Sequence, residues 1–135
     1  MKVVLDTNVI LVSIPRQSKY RSIFERILDG SFQLVISNDI LNEYYEIIAL
    51  KNNPIVAANV TELLINLPNV QKVNVYFNWN LIGVDQSDNK FVDAGLAGNA
   101  DFIVTNDRHF DSLKALEFPK VNTISITGFM ELIKV

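Results

Sequence analysis

Four acidic residues stand where the sequence changes from apolar runs to polar turns or helical patterns. They are Asp6, Glu43, Asp88 and Asp107. Two of them follow β-type apolar runs, one precedes a helical pattern, and Glu43 lies on the apolar face of another helical pattern. An acid on an apolar face is costly to bury unless it is paired or bound to a metal ion. These side chains are therefore candidates for one shared site.

The chemistry of such a site follows from the residue types. Carboxylates within a few ångströms of one another repel, and their pKa values rise unless a cation neutralises them. Oxygen ligands favour Mg²⁺ or Mn²⁺, and a chain with no Cys and one His cannot build a zinc cluster. A bound divalent ion can activate water and stabilise the charge that develops on a phosphodiester. The predicted reaction is phosphodiester hydrolysis.

The surrounding pattern alternates β-type runs with helical patterns. It predicts strands at residues 3–5, 33–36, 102–105 and 123–126, a short strand at 81–84, and an edge strand or extended loop at 73–75. It predicts helices at residues 20–28, 40–48, 54–67, 88–98, 108–116 and 129–133, the second capped within 37–39 and the third opened by Pro54. This alternation predicts a mostly parallel sheet with right-handed crossovers. The expected fold is a single three-layer α/β/α domain over residues 1–135.

A parallel sheet would also gather the four acids. Sites in such sheets form beyond the carboxyl ends of the strands, where Asp6 and Asp107 are expected. Asp88 would lie near a helix N-terminus, which favours an anion, and Glu43 on the first two turns of the helix after the second strand. Each acid taken alone could equally be a cap or turn residue, so the prediction depends on their convergence.

Composition limits the function classes without selecting one. The chain has 135 residues, 49% hydrophobic and 20% charged, as in globular domains. It has no Cys and no apolar run near the roughly 20 residues of a membrane span, so we expect a cytoplasmic protein with no membrane partner. Without the four site acids, the 15 acidic residues become 11 against 12 basic ones. The net charge of −3 therefore neither supports nor excludes a nucleic-acid substrate.

Several segments together resemble the PIN-domain family. Residues 5–9 (LDTNV) look like its opening motif, and residues 37–44 (SNDILNEY) look like the segment that bears its second acid. Residues 88–97 (DNKFVDAGLA) and 100–107 (ADFIVTND) look like the helix–strand block that carries the third and fourth acids. Order and spacing match along nearly the whole chain. The branch that it resembles is the prokaryotic toxins of toxin–antitoxin pairs, similar to VapC.

The resemblance implies an Mg²⁺- or Mn²⁺-dependent endoribonuclease acting on single-stranded RNA. It also implies a homodimer or higher homo-oligomer and a cognate antitoxin that blocks the acidic cleft. By position, the catalytic and metal-binding set would be Asp6, Glu43, Asp88 and Asp107, supported by Asn8 and Thr105 and with Asp93 as an additional metal candidate.

Other residues keep two interpretations each. His109 is a proton donor or an exposed capping residue, Lys90 contacts phosphate or is solvated, and Asp85 touches the site or forms a turn. The aromatic residues Tyr76, Phe77 and Trp79 stack on bases or pack under a loop.

Three other functions compete with a toxin ribonuclease. They are a PIN nuclease of RNA processing, a catalytically silent PIN-like module that binds RNA or protein, and a small-molecule phosphatase. The phosphatase is disfavoured because its motif needs a second Asp at position 8, where this chain has Asn8.

Overall fold

Five short parallel strands form the centre of the computed structural model, which describes residues 1–134. The strands are β1 (Lys2–Leu5), β2 (Gln33–Ile36), β3 (Val70–Lys72), β4 (Phe102–Val104) and β5 (Thr123–Ile124). Their order across the sheet is β3-β2-β1-β4-β5, and every neighbouring pair is parallel. The central strands consist mainly of buried Val, Ile and Leu, as expected for a parallel sheet covered on both faces.

Helices cover both faces of this sheet. They are α1 (Thr7–Ser13), α2 (Arg21–Leu28), α3 (Asn38–Lys51), α4 (Pro54–Asn66), α5 (Asn89–Ala97) and α6 (Ile126–Leu132), with 3₁₀ helices at Gln86–Asp88 and Arg108–Ala115. Given this strand order, the general preference for right-handed crossovers places α1–α4 on one face, and α5 with the second 3₁₀ helix on the other. The rings of Phe91 and Phe110 meet on that other face, with centroids 6.4 Å apart. The predicted three-layer α/β/α fold is confirmed.

Local signals explain where the helices begin. The Ser37 hydroxyl accepts the Ile40 N–H at the start of α3, and the Asn53 side chain accepts the Val56 N–H at 2.9 Å directly before Pro54. Both N-termini lie where the sequence predicts them.

Three elements differ from the prediction. Helix α1 was not predicted, because its run Val9–Val12 (VILV) is apolar without helical spacing. Residues 81–84 form no strand; instead, the Asn89 amide pairs with both the N–H and the carbonyl of Ile82, at 2.8 and 2.9 Å. Residues 73–75 form no strand, which is the loop alternative of the prediction, and the edge strand β3 lies earlier, at Val70–Lys72. The chain leaves the sheet after Val73 donates its N–H to the Ile36 carbonyl.

The remaining differences are the short 3₁₀ helix at Gln86–Asp88, which was not predicted, and shifts of element ends by one to three residues. Within residues 1–134, no helix has both the length and the apolarity needed to cross a membrane.

Candidate active site

The site begins at the point where the strand order of the sheet reverses. Strands β1 and β4 are neighbours there, and Leu5 is in register with Val104, so the residues that follow them, Asp6 and Thr105, lie side by side. The Thr105 hydroxyl donates to Asp6 Oδ2 at 2.7 Å and accepts the Asp107 N–H at 3.0 Å. Thr105 therefore links the two acids in a position where open α/β sheets form crevices.

Glu43 reaches this site from helix α3. Its Oε2 accepts a hydrogen bond from the Thr7 hydroxyl, and its Oε1 lies 2.8 Å from Lys90 Nζ. The next residue, Tyr44, is fully buried and donates its hydroxyl to the Leu5 carbonyl at 2.5 Å. This bond attaches α3 to the end of β1, directly before Asp6, and so holds Glu43 at the site.

His109 joins the third and fourth acids. Its backbone N–H donates at 2.9 Å to Oδ1 of Asp107, which is the N-terminal cap of the second 3₁₀ helix. Its Nδ1 atom lies 3.3 Å from Asp88 Oδ2 and 3.5 Å from Asp107 Oδ1. Asp85, Asp88 and His109 each offer one potential metal ligand, and these ligand atoms lie within 4.8 Å of one another.

The carboxylates raise the pKa values of their neighbours. Burial raises the pKa of Asp6. The nearby charges of Asp107 and Glu43 add to this rise, and the hydrogen bond from Thr105 opposes it. Burial likewise raises the pKa of Asp88 to about 6, with contributions from Asp107, Asp85 and Asp6 and opposition from His109. Asp107 and Glu43 therefore act electrostatically on Asp6, and Asp107 and Asp6 act on Asp88, at one rim of the sheet.

The donor set fits a divalent cation. Five carboxylates, those of Asp85 and the four predicted acids, converge on this rim, and the basic side chains in contact with them are Lys90 and His109. The negative charge in excess is what a metal ion would neutralise. Carboxylate oxygens, with one imidazole nitrogen at the edge of the set, suit Mg²⁺ or Mn²⁺.

A family model described as "PIN domain" matches residues 2–109 of this chain. The match spans most of the chain and includes all four acids. The chain belongs to the PIN-domain family. No curated protein sequence matches it.

Two solved structures share the fold of this PIN domain. One is VapBC2 from Rickettsia felis bound to a DNA fragment from its promoter, with 16% identity, a TM-score of 0.63, and coverage of 93% of this chain and 98% of that chain. The other is VapBC-1 from nontypeable Haemophilus influenzae, with 19% identity, a TM-score of 0.60, and coverage of 94% and 99%. At these identities the likeness concerns the fold.

The secondary candidates of the PIN domain fall in different places. Asn8 is exposed, and the closeness of its backbone N–H to Asp6 opposes the rise in the pKa of that carboxyl. The Asp93 side chain is buried and accepts the Trp79 N–H at 3.0 Å. Asp93 therefore faces the segment before α5, and its hydrogen bond does not join it to the other acids.

Four further residues lie at the site although the sequence alone does not assign them to it. The sequence allows two interpretations of Lys90, Asp85 and His109, and it does not single out Thr7. The signal for Thr7 is its place directly after Asp6, which becomes informative once α1 is known to begin there.

We expect Thr105→Val to weaken Mn²⁺ binding by about 10- to 100-fold, the usual cost of losing a group that orients a metal ligand. The substitution removes the hydroxyl that bridges Asp6 and Asp107 and keeps the side-chain volume. Calorimetric titration of the metal-free protein measures the effect. Thr61→Val is the matched control, because the Thr61 hydroxyl bonds only to carbonyls of its own helix. Equal affinity in both variants would contradict the role of Thr105.

Proposed function

We propose that this protein is a metal-dependent endoribonuclease that hydrolyses phosphodiester bonds in single-stranded RNA with Mg²⁺ or Mn²⁺. The observation that carries the proposal is the convergence of Asp6, Glu43, Asp88 and Asp107 beyond β1 and β4, with the pKa values of Asp6 and Asp88 raised. Membership of the PIN-domain family supports the same chemistry.

Each residue has a role that follows from its contacts. Asp6, Glu43, Asp88 and Asp107 would hold the metal, which supplies an activated water and neutralises charge on the phosphate. Thr105 orients Asp6, and Thr7 orients Glu43. The His109 imidazole, held beside Asp88 and Asp107, is available to give a proton to the leaving oxygen.

The proposal extends to a toxin–antitoxin context. Both similar structures are VapBC proteins, and we infer that residues 1–135 form one VapC-like toxin domain acting on RNA in the cytoplasm. A cognate antitoxin would cover the acidic rim with a basic segment, because opposite charges at an interface favour binding and correct orientation. A homodimer or higher homo-oligomer is part of this proposal.

Removal of the metal tests the activity directly. We expect purified protein to cut a mixed single-stranded RNA in Mn²⁺ or Mg²⁺ and to stop in EDTA, because five crowded carboxylates cannot stabilise a phosphodiester transition state without a cation. Cleavage should return when excess metal is added. Gel analysis of end-labelled RNA measures the products, and p-nitrophenyl phosphate serves as the substrate of the competing phosphatase function.

Two results would overturn the proposal. Cleavage that continues in EDTA would show a nuclease that does not need these acids as metal ligands. Binding of RNA without cleavage in either metal would leave a binding module.

A further inference from the structure

Lys90 is held inside the acidic site rather than extended into solvent. It lies on the first turn of α5, two residues after Asp88, and its side chain is 19% exposed, against 68% for Lys114. Its Nζ atom donates to Glu43 Oε1 at 2.8 Å and also to the Ser87 carbonyl. Ordering a long side chain costs conformational entropy, so this placement requires compensating contacts, which Glu43 and Ser87 supply.

The pair of Lys90 with Glu43 differs from the other lysine and arginine pairs among the described residues. Those pairs are local, with partners three or four residues apart on one helix or at its end. Lys90 and Glu43 are 47 residues apart and join α5 to α3 across the site. Lys90 therefore contributes to the geometry of the site itself, not to the stability of a single helix.

Both oxygens of Glu43 already have partners. Oε2 accepts from the Thr7 hydroxyl, and Oε1 accepts from Lys90. A metal ion bound to either oxygen of Glu43 would lie at the same carboxylate as the ammonium group of Lys90. Two cations at one carboxylate repel each other, so metal binding favours release of Lys90 from Glu43. A released ammonium on the first turn of α5 stays near the metal and near any phosphate bound there.

We propose that Lys90 alternates between two partners: it holds Glu43 while the metal is absent, and it binds a non-bridging oxygen of the scissile phosphate when metal and RNA are present. This inference rests on the proposed function. Lysine suits the role because it binds phosphate as a compact charge with a flexible stem. In the first state Lys90 is a positioning residue, and in the second it contacts the substrate.

For the variant Lys90→Met, the proposal predicts opposite changes in the affinity for Mn²⁺ and in the affinity for RNA. Mn²⁺ should bind about 3- to 10-fold more tightly, because a competing cation next to a metal ligand is lost. A short single-stranded RNA, in Ca²⁺ as the ion, should bind about 10-fold more weakly, because a charge-assisted contact to phosphate is lost. Lys90→Arg should recover most of the RNA affinity. Calorimetry and fluorescence anisotropy measure the two constants.

If Lys90 had a purely structural role, its substitution would weaken the binding of Mn²⁺ and the binding of RNA together. Lys51→Met, at the far end of α3 from the site, is the matched control and should change neither constant. Weaker Mn²⁺ binding or unchanged RNA affinity in a folded Lys90→Met variant would overturn the role of Lys90 alone. Failure of the unsubstituted protein to cut RNA in any metal would overturn the proposed function, and the Mn²⁺ titration would still test the competition for Glu43.

Discussion

Replacing Asp6 with asparagine should lower the rate of metal-dependent RNA cleavage by at least about 10²- to 10³-fold while the protein stays folded. Asp6 is 7% exposed, follows the central strand, and accepts the Thr105 hydroxyl at 2.7 Å. The substitution keeps the shape of the side chain but removes a charged metal ligand. A bound metal stabilises the transition state by several kcal/mol, and each ~1.4 kcal/mol corresponds to a tenfold change in rate. Single-turnover cleavage measures the loss.

The same substitution, Asp6→Asn, should not lower the stability of the metal-free protein, although it lowers the cleavage rate. Burial and the nearby Asp107 and Glu43 raise the pKa of Asp6, so the ionised Asp6 destabilises the metal-free fold at neutral pH. Asparagine has no charge to desolvate, and the metal-free variant should unfold at the same temperature as the original chain or a higher one. A rate loss with this behaviour excludes misfolding as its cause.

Glu62→Gln is the matched control for this experiment. Glu62 is an exposed acid on α4, outside the group of acids at the strand ends, and its substitution should leave the rate unchanged. If Asp6→Asn cut RNA as fast as the control variant, the activity would not depend on the site described here. Because both variants are purified in the same way, that result would also reveal a contaminating nuclease.

The sequence predicts the sheet and its carboxyl rim well, because the signals are local. Short runs of buried β-branched residues mark the strands, and the polar residues after them must lie at one edge of a parallel sheet. Asp6 and Asp107 could be located by this argument alone. Glu43 could be located because an acid between apolar helix positions needs a special partner.

The parts that the sequence does not predict depend on contacts between distant segments. Helix α1 has an apolar run with no helical spacing, so its conformation is set by packing beneath the sheet rim rather than by local pattern. The run 81–84 looks like a strand, yet its backbone is satisfied by the side chain of Asn89. No spacing rule connects a loop backbone with the amide of a later helix.

The same limit applies to the basic side chains at the site. In the sequence, Lys90 and His109 each allow a functional interpretation and an ordinary surface interpretation, with nothing to decide between them. They become part of the site because α5 begins near Glu43 and the second 3₁₀ helix turns His109 back toward Asp88. Their partners lie 47 and 21 residues away, respectively. A site built from several crossovers can thus be recognised by its acids, whereas the residues that balance their charge require the tertiary structure.

Without metal, the protein should be more stable near pH 5 than at pH 7.5, and Asp88 should account for most of the difference. The folded-state pKa of Asp88 is about 6, against an ordinary value of 3.8. The folded state therefore binds more protons between these values, and stability falls as pH rises through this window. About one pH unit of this window lies above pH 5, so at about 1.4 kcal/mol per unit the expected loss between pH 5 and 7.5 is about 1.4 kcal/mol, and Asp6 acts in the same direction.

Thermal unfolding in EDTA between pH 5 and 7.5 measures this effect, above the range in which the lowered pKa values of Asp29 and Asp85 matter. We expect Asp88→Asn to flatten the dependence on pH. Saturating Mn²⁺ at pH 7.5 should recover the lost stability in the unsubstituted protein, because a ligand that binds only the folded state stabilises it. Two results would show that the crowded carboxylates do not limit stability. One is a melting temperature in EDTA that decreases as the pH is lowered from 7.5 to 5. The other is a pH dependence of the melting temperature in Asp88→Asn that equals that of the unsubstituted protein. The recovery by metal joins the two observations, since the charges that destabilise the empty site are those that would hold the ion.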